Sequence, residues 1–173
     1  MDLGIIITGV ILTLVFVLPI MLIAKSSKSG DNQSLKVLND LAAVNNCKIS
    51  QFETSKHKII GMDEDNLKVF FIRKNPDGIK EKVINLAEIK KCQVISSNKM
   101  IKHKEGSYKV IDRVELAFTY NDINRKNSIL DCYNANYDNF IINGEFQLAE
   151  KWEKIINNIL NKESQKIKKA FAS

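Results

Sequence analysis

The chain has 173 residues, and its 26 Lys and Arg outnumber its 20 Asp and Glu for a formal net charge of +6. The excess is nearly all lysine, and the scarcity of arginine without an interleaved aromatic platform argues against nucleic-acid readout. Cys47, Cys92 and Cys132 are widely spaced and form no C-x-x-C pair, which favours a reducing compartment over a disulfide framework.

The segment Leu3–Ala24 contains no charged side chain, and about 18 such residues already mark a candidate membrane span. As a helix it would extend roughly 33 Å, which is enough to cross a hydrocarbon core. A cleaved signal peptide is the main alternative, but Asp2 precedes the segment where a base is expected, and no A-x-A-like site follows it. We therefore predict an uncleaved transmembrane anchor over residues 1–24.

The charges that flank this segment predict its orientation. Only Asp2 precedes the span, whereas Lys25, Lys28 and Lys36 follow it. Since lysine-rich short flanks remain in the cytoplasm, we expect the N-terminus outside and the rest of the chain inside, at the inner (cytoplasmic) membrane.

After the span, composition and periodicity divide the chain into a polar linker over 25–33, a short helix over 34–46 and one domain over 47–173. Within the domain, β-rich runs separated by turn residues predict seven short strands, of which the sixth alternates most clearly. The predicted strands are 49–53, 57–63, 67–73, 81–86, 89–96, 110–120 and 128–133.

Two other segments complete the domain. Residues 98–109 are basic and are predicted to form a long loop or a hairpin tip. Glu145–Lys169 is predicted to be an amphipathic helix, with Trp152 on its apolar face and Glu153 and Asn157 on its polar face. Consecutive strands followed by one helix, without β-α-β alternation, predict an α+β fold with an antiparallel sheet.

This order of elements resembles a bacterial pleckstrin-homology-like (PH-like) domain. The likeness covers roughly Cys47 to Lys162 and rests on HKIIGMDEDNLKVFFIRK, EKVINLAEIKKCQVI, VIDRVELAFTY and SILDCY, followed by the helix that holds Trp152. The resemblance implies a curved antiparallel sheet of about seven strands that is closed by the C-terminal helix. It also implies a binding or scaffolding module, since the superfold hosts lipid, peptide and protein ligands.

No catalytic residue, cofactor or metal site is predicted. His57 and His103 lie on different elements without metal-ligand spacing, and the glycines form no phosphate loop. The acidic run that begins at Asp63 lacks the glycine that a calcium loop requires. Cys92 and Cys132 lie in apolar strands, which is typical of inert core thiols.

Two basic clusters are the candidate binding residues. Each is either a solvated surface or a contact for anionic lipid headgroups, which a membrane anchor would hold within reach. Lys56 and Lys58 are the only bases of the first predicted hairpin loop, so specific capture of an inositol phosphate is not expected. The clusters consist of Lys99, Lys102, Lys104 and Lys109 in the basic segment, and of Lys166, Lys168 and Lys169 at the end of the helix.

The sequence therefore predicts a single-pass, membrane-anchored, non-enzymatic binding or scaffolding module at the cytoplasmic membrane face. Its expected ligand is a protein partner or the anionic surface of the inner leaflet, with no cofactor and no nucleic acid. Two alternatives stay open. The first is an accessory subunit of a membrane protein complex, and the less favoured second is a small membrane-associated enzyme.

Overall fold

The computed structural model describes residues 35–103, 106–138, 142 and 144–171. The predicted span Leu3–Ala24 and the linker over 25–33 lie outside this part of the chain. Among the residues that are described, no helix combines the length and the apolar character needed to cross a membrane.

The described residues form an α+β fold, as predicted, with helix α1 (35–44), seven strands and helix α2 (Glu145–Phe171). All strand pairs are antiparallel, and the strands form two sheets in the orders β1-β2-β3-β4 and β5-β6-β7. The expectation of one curved sheet of about seven strands was therefore wrong, because β4 and β5 belong to different sheets. The strands are β1 (Gln51–Ser55), β2 (Lys58–Asp63), β3 (Lys68–Asn75), β4 (Gly78–Asn85), β5 (Ile89–His103), β6 (Gly106–Tyr120) and β7 (Ser128–Asn134).

All seven strands differ from the prediction at one or both ends, and three of them differ by more than two residues. β4 begins at Gly78, directly opposite Asn75, because the turn between them joins paired strands without a gap. The three residues that the prediction left out, 78–80, are all exposed, so no buried apolar side chain marked them as part of the strand. β5 extends to His103, and β6 begins at Gly106. The basic segment is therefore a hairpin rather than a loop.

The hydrophobic core lies between the two sheets and α2. Val114, Leu116, Phe118 and Tyr120 of β6 point into it, as their alternation predicts, and Trp152 fills its centre with 1% of its surface exposed.

A second, smaller core lies between α1 and the outer face of the first sheet. Leu38 and Ala42 of α1 pack there on Ile59, Phe70 and Ile72. Since β2 and β3 are covered on both faces, their sequences are almost continuously apolar.

Helix α2 covers the open edge of β5 with polar side chains. The Asn157 amide accepts a hydrogen bond from the Cys92 backbone N–H (3.1 Å) and donates one to the Cys92 carbonyl (2.8 Å). Glu153 Oε1 accepts from the Val94 N–H at 3.2 Å. These two side chains of the polar face of α2 therefore take the place of a neighbouring strand.

Side chains of the first sheet similarly satisfy the outer edge of β7. Lys82 Nζ donates to the Ile129 carbonyl (2.6 Å), and Arg73 Nη1 donates to the Asp131 carbonyl (3.0 Å). The two carbonyls are two residues apart and thus share one edge of the strand. The sheets are therefore joined at this seam by side chains instead of by a strand ladder.

The domain has two ends that carry different elements. The first end carries the β1–β2 and β3–β4 turns, and Lys56 meets the start of α2 there through Glu145 (3.4 Å). The second end carries the β2–β3 turn and the 3₁₀ turn Leu86–Glu88, where Arg125 of the β6–β7 turn pairs with Glu88.

Helix α1 runs from the first end toward the second. Leu38 packs beside Gly61 in the middle of β2. Seven residues later, the Asn45 carbonyl accepts a hydrogen bond from Lys68 Nζ at the start of β3. The N-terminus of α1 therefore points toward the first end.

Packing of α1 depends on the missing side chain of Gly61. A Cβ at this position would lie 2.5 Å from Leu38 Cδ2, which is closer than atoms pack. We expect Gly61→Ala to lower the free energy of unfolding by about 1–3 kcal/mol through overpacking. Urea unfolding measures this change. In a Leu38→Ala background the added methyl group fills vacated space, so Gly61→Ala should lower the free energy of unfolding by less. An equal loss in both backgrounds would contradict this packing.

Candidate functional site

The second end of the domain contains an open apolar cavity of about 450 Å³, which we call the end groove. One wall is formed by the Leu86–Glu88 turn and the start of β5, and the other by the last turns of α2. Its charged lining residues are Lys90, Glu163 and Lys168. The aliphatic lining residues are Leu67, Leu86, Ile89, Ile159, Leu160 and Ile167.

The groove exists because α2 continues beyond the sheets. From Asn161 to Ala170 every residue is exposed except Glu163, which is half-buried. These ten residues extend the helix by about 15 Å at 1.5 Å per residue. Helical spacing keeps Leu160, Glu163 and Ile167 on the same side of α2, so the apolar stripe continues past the packed core. Ile167 is consequently 57% exposed.

A smaller pocket of about 270 Å³ continues the groove toward the β6–β7 turn and shares Ala87 and Asn121 with it. The Arg125 guanidinium lies 3.8 Å from the centroid of the Tyr120 ring and forms an ion pair with Glu88. Stacking and ion pairing together hold this cation in place. The continuous surface thus combines an aliphatic lining with basic side chains in both the groove and the adjoining pocket.

The structure separates the two basic clusters predicted from the sequence. Lys166, Lys168 and Lys169 lie on the exposed end of α2 at the second end, and Lys168 also lines the groove. The others lie on the β5–β6 hairpin, which leaves the domain at the first end: Lys99, Lys102 and Lys109 are exposed there, and Lys104 lies outside the described residues.

The sequence prediction did not find the end groove. Leu67, Leu86 and Ile167 are far apart in the chain and meet only through the turns at the second end. One signal was present: the apolar stripe of α2 continues to Ile167, inside a lysine-rich segment that otherwise has the composition of a solvated helix end.

A buried ionic cluster lies at the first end. Asp138 Oδ2 accepts hydrogen bonds from Lys58 Nζ (2.9 Å), Arg73 Nη2 (3.0 Å) and the Asn134 backbone N–H (2.9 Å). The Lys58 side chain is 1% exposed, so it is not available to a headgroup. Lys58 was predicted, with Lys56, to be a base of the first hairpin loop, but it belongs to β2, which leaves Lys56 as the only lysine in the turn.

The environment of Asp138 determines its protonation. Burial alone would raise the pKa of this carboxyl group, but the Asn134 N–H, Lys58 and Arg73 outweigh burial and hold the pKa below its usual value. Neither cavity is lined by Lys58, Arg73 or Asp138. The contacts of the cluster give it a structural role, because they tie β2 and β3 to the segment that follows β7.

The described residues offer little support for a metal or a reactive thiol. They include no group of three His, Cys, Asp or Glu side chains that could hold a metal ion. Burial raises the pKa of the Cys92 thiol, and it raises that of Cys132 to about 12. Both thiols are therefore protonated at neutral pH and poorly nucleophilic.

Comparison with protein-family models, with curated proteins and with solved structures finds no match to this chain. The candidate site is therefore defined by its own geometry alone.

Replacement of Asp138 tests the structural role of the ionic cluster. Asp138→Asn leaves Lys58 and Arg73 buried without a counter-charge, so we expect the free energy of unfolding at pH 7 to fall by about 3–5 kcal/mol. Chemical denaturation measures the loss. Asp65→Asn, on the exposed β2–β3 turn, is the matched control and should change stability by less than about 0.5 kcal/mol.

The same pair of variants tests the lowered pKa of Asp138. A carboxylate whose pKa is lowered by folding stabilises the folded state fully above the pKa of the unfolded chain, about 3.9. This stabilisation is lost as the pH falls through the pKa of the folded protein. The difference in the free energy of unfolding between the wild type and Asp138→Asn should therefore become smaller as the pH falls from 5 to about 2. A difference independent of pH would contradict the ionised assignment.

Proposed function

We propose that this protein is a membrane-anchored, non-enzymatic binding module whose PH-like domain works at the cytoplasmic face and holds a protein segment in the end groove. The observation that carries the proposal is the groove itself: it is open, aliphatic and formed by a helix that continues past its own core. Such a concave apolar site with a few polar groups at its edges is typical of ligand binding.

The arrangement of elements supports a PH-like domain. A four-stranded and a three-stranded antiparallel sheet are followed by a long helix that covers the edge of β5. This agrees with the order of elements on which the resemblance rests. A superfold fixes no function, so the chemistry of the groove determines which ligand the domain can hold.

The charges around the groove support an acidic partner segment with aliphatic side chains. Leu86, Ile89 and Leu160 offer contacts to such side chains in the middle of the groove. Lys90 and Lys168 on the two walls of the groove and Arg125 in the adjoining pocket are placed to pair with carboxylates that flank the aliphatic side chains. A cavity of about 450 Å³ accommodates a few side chains of a bound segment rather than a whole domain.

The membrane anchor is supported by the sequence of Leu3–Ala24 and by the lysines that follow it. A groove that binds a neighbouring protein also suits an accessory subunit of a membrane complex, which is the alternative role. No feature of the described residues favours the enzyme alternative.

A charge in the middle of the predicted span tests the anchor. Membranes that contain the wild-type chain should retain it through extraction at high pH, because a spanning helix does not dissociate as a peripheral protein does. Leu14→Arg should increase the extracted fraction, since arginine near the centre of a span costs about 2.5–3.5 kcal/mol. Complete extraction of the wild type would contradict the anchor.

A photoreactive amino acid in the groove tests the partner. Placed at Ile167 of the full chain in cells, it should form a discrete adduct whose mapped segment contains both aliphatic and acidic side chains. Ile79 on β4 is the matched control position, because it is 58% exposed against 57% for Ile167 and lies away from the groove.

The charges of the groove should determine this adduct. Lys90→Glu combined with Lys168→Glu should reduce it several-fold, whereas Lys74→Glu combined with Lys80→Glu, which changes the same charge at the first end, should not. No adduct at Ile167, equal adducts at Ile167 and Ile79, or a mapped segment without carboxylates would contradict the proposed partner.

A further inference from the structure

We propose that the distal part of the β5–β6 hairpin is a second membrane contact, which lies among the anionic headgroups of the leaflet that holds the anchor. We call this part, residues 98–103 and 106–111, the arm. The inference rests on the proposed anchor and assigns a lipid ligand to one of the two basic clusters.

The arm projects from the first end of the domain. Arg113 of β6 pairs with both Ser97 of β5 and Asn134, where β7 ends. The next pair, Asn98 and Ile111, follows a register shift in the β5–β6 ladder. Such a bulge changes the direction and twist of a strand. The two strands then continue without β7 for six residues, or about 20 Å at 3.3 Å per residue.

The composition of the arm suits a charged, partly apolar interface. Met100 is 62% exposed and Tyr108 is 54% exposed. The arm also contains Lys99, Lys102 and Lys109 and no acidic residue. Tyrosine is enriched where a membrane meets water, and lysines near an anionic leaflet are attracted to it.

Both faces of the arm carry this combination. Met100 pairs with Lys109, and Ile101 pairs with Tyr108 beside it. Directly opposed residues share a face, whereas consecutive residues of a strand point to opposite faces. One face therefore holds Met100, Lys102 and Lys109, and the other holds Lys99, Ile101 and Tyr108. A β-ribbon that packs on a protein surface needs only one apolar face. A β-ribbon that lies among lipid headgroups contacts them with both faces.

The anchor would hold this end of the domain near the bilayer. The N-terminus of α1 points toward the first end, and ten residues separate Leu35 from Ala24. Ten residues span at most about 33–36 Å when fully extended. The basic cluster on α2 lies at the other end of a 27-residue helix, which is about 40 Å long. The arm is thus the basic cluster on the anchor's side, and the α2 cluster faces away.

Hydrogen exchange on the full chain in vesicles tests the arm. We expect the amides of residues 98–110 to exchange more slowly in vesicles with phosphatidylglycerol than in vesicles of phosphatidylcholine alone. Salt at about 0.5 M should remove the difference, because it screens charges beyond a few ångströms. Amides at the end of α2 should exchange equally in both vesicles.

Matched charge reversals locate the effect. Each lysine near the surface contributes roughly fivefold to binding of an anionic leaflet. The triple variant Lys99→Glu, Lys102→Glu and Lys109→Glu should therefore reduce the protection of the arm amides at least about tenfold. Lys162→Glu, Lys166→Glu and Lys169→Glu make the same change at the second end and should leave it intact. Met100→Ser with Tyr108→Ser should reduce protection without any change in charge.

The outcomes separate the arm from the anchor. Equal arm exchange in the two kinds of vesicle, from a chain that resists alkaline extraction, would overturn the lipid contact and leave the anchor standing. Salt-sensitive arm protection in a chain that alkaline extraction releases would support the arm and overturn the anchor. Loss of protection in the α2 triple variant but not in the arm variant would overturn the assignment of ends.

Discussion

The ion cluster around Asp138 is the constraint on which the arrangement of the two sheets depends. Lys58 and Arg73 come from the first sheet, and Asp138 follows the last strand of the second. Each of these side chains is nearly inaccessible, so each charge would be costly without the others. Arg73 also reaches the Asp131 carbonyl. One residue therefore satisfies the carboxylate and the exposed edge of β7 together.

The position of the groove follows from this arrangement. The ionic cluster and the start of α2 close the first end, so the helix runs from there toward the second. Glu153 and Asn157 hold its middle against β5, and Trp152 fills the core beneath it. Beyond Leu160 the sheets have ended, and the helix continues with one side of its apolar stripe uncovered. The groove is thus the space that remains where a long helix passes beyond a shorter sandwich.

The sequence predicted the features that depend on local pattern. Alternation identified β6, and the apolar stripe identified α2 and the burial of Trp152, because both signals are repeated along a single element. Features that depend on contacts between distant residues were missed. Lys58 and Asn157 have polar side chains, which pattern assigns to the surface, yet each has its partners about 65 to 80 residues away in the chain. The groove was missed for the same reason.

The edge of β5 is covered by side chains of α2, and this has a consequence during synthesis of the chain. Glu153 and Asn157 follow every strand in the chain, so a ribosome completes both sheets before it adds the residues that cover this edge. Until then the backbone groups of Cys92 and Val94 are open to pairing with another strand. Domains fold as their residues emerge, at about 5–20 residues per second. The nascent domain therefore passes through an interval of seconds in which neighbouring chains can pair with the edge of β5 before its own helix is present to cover it.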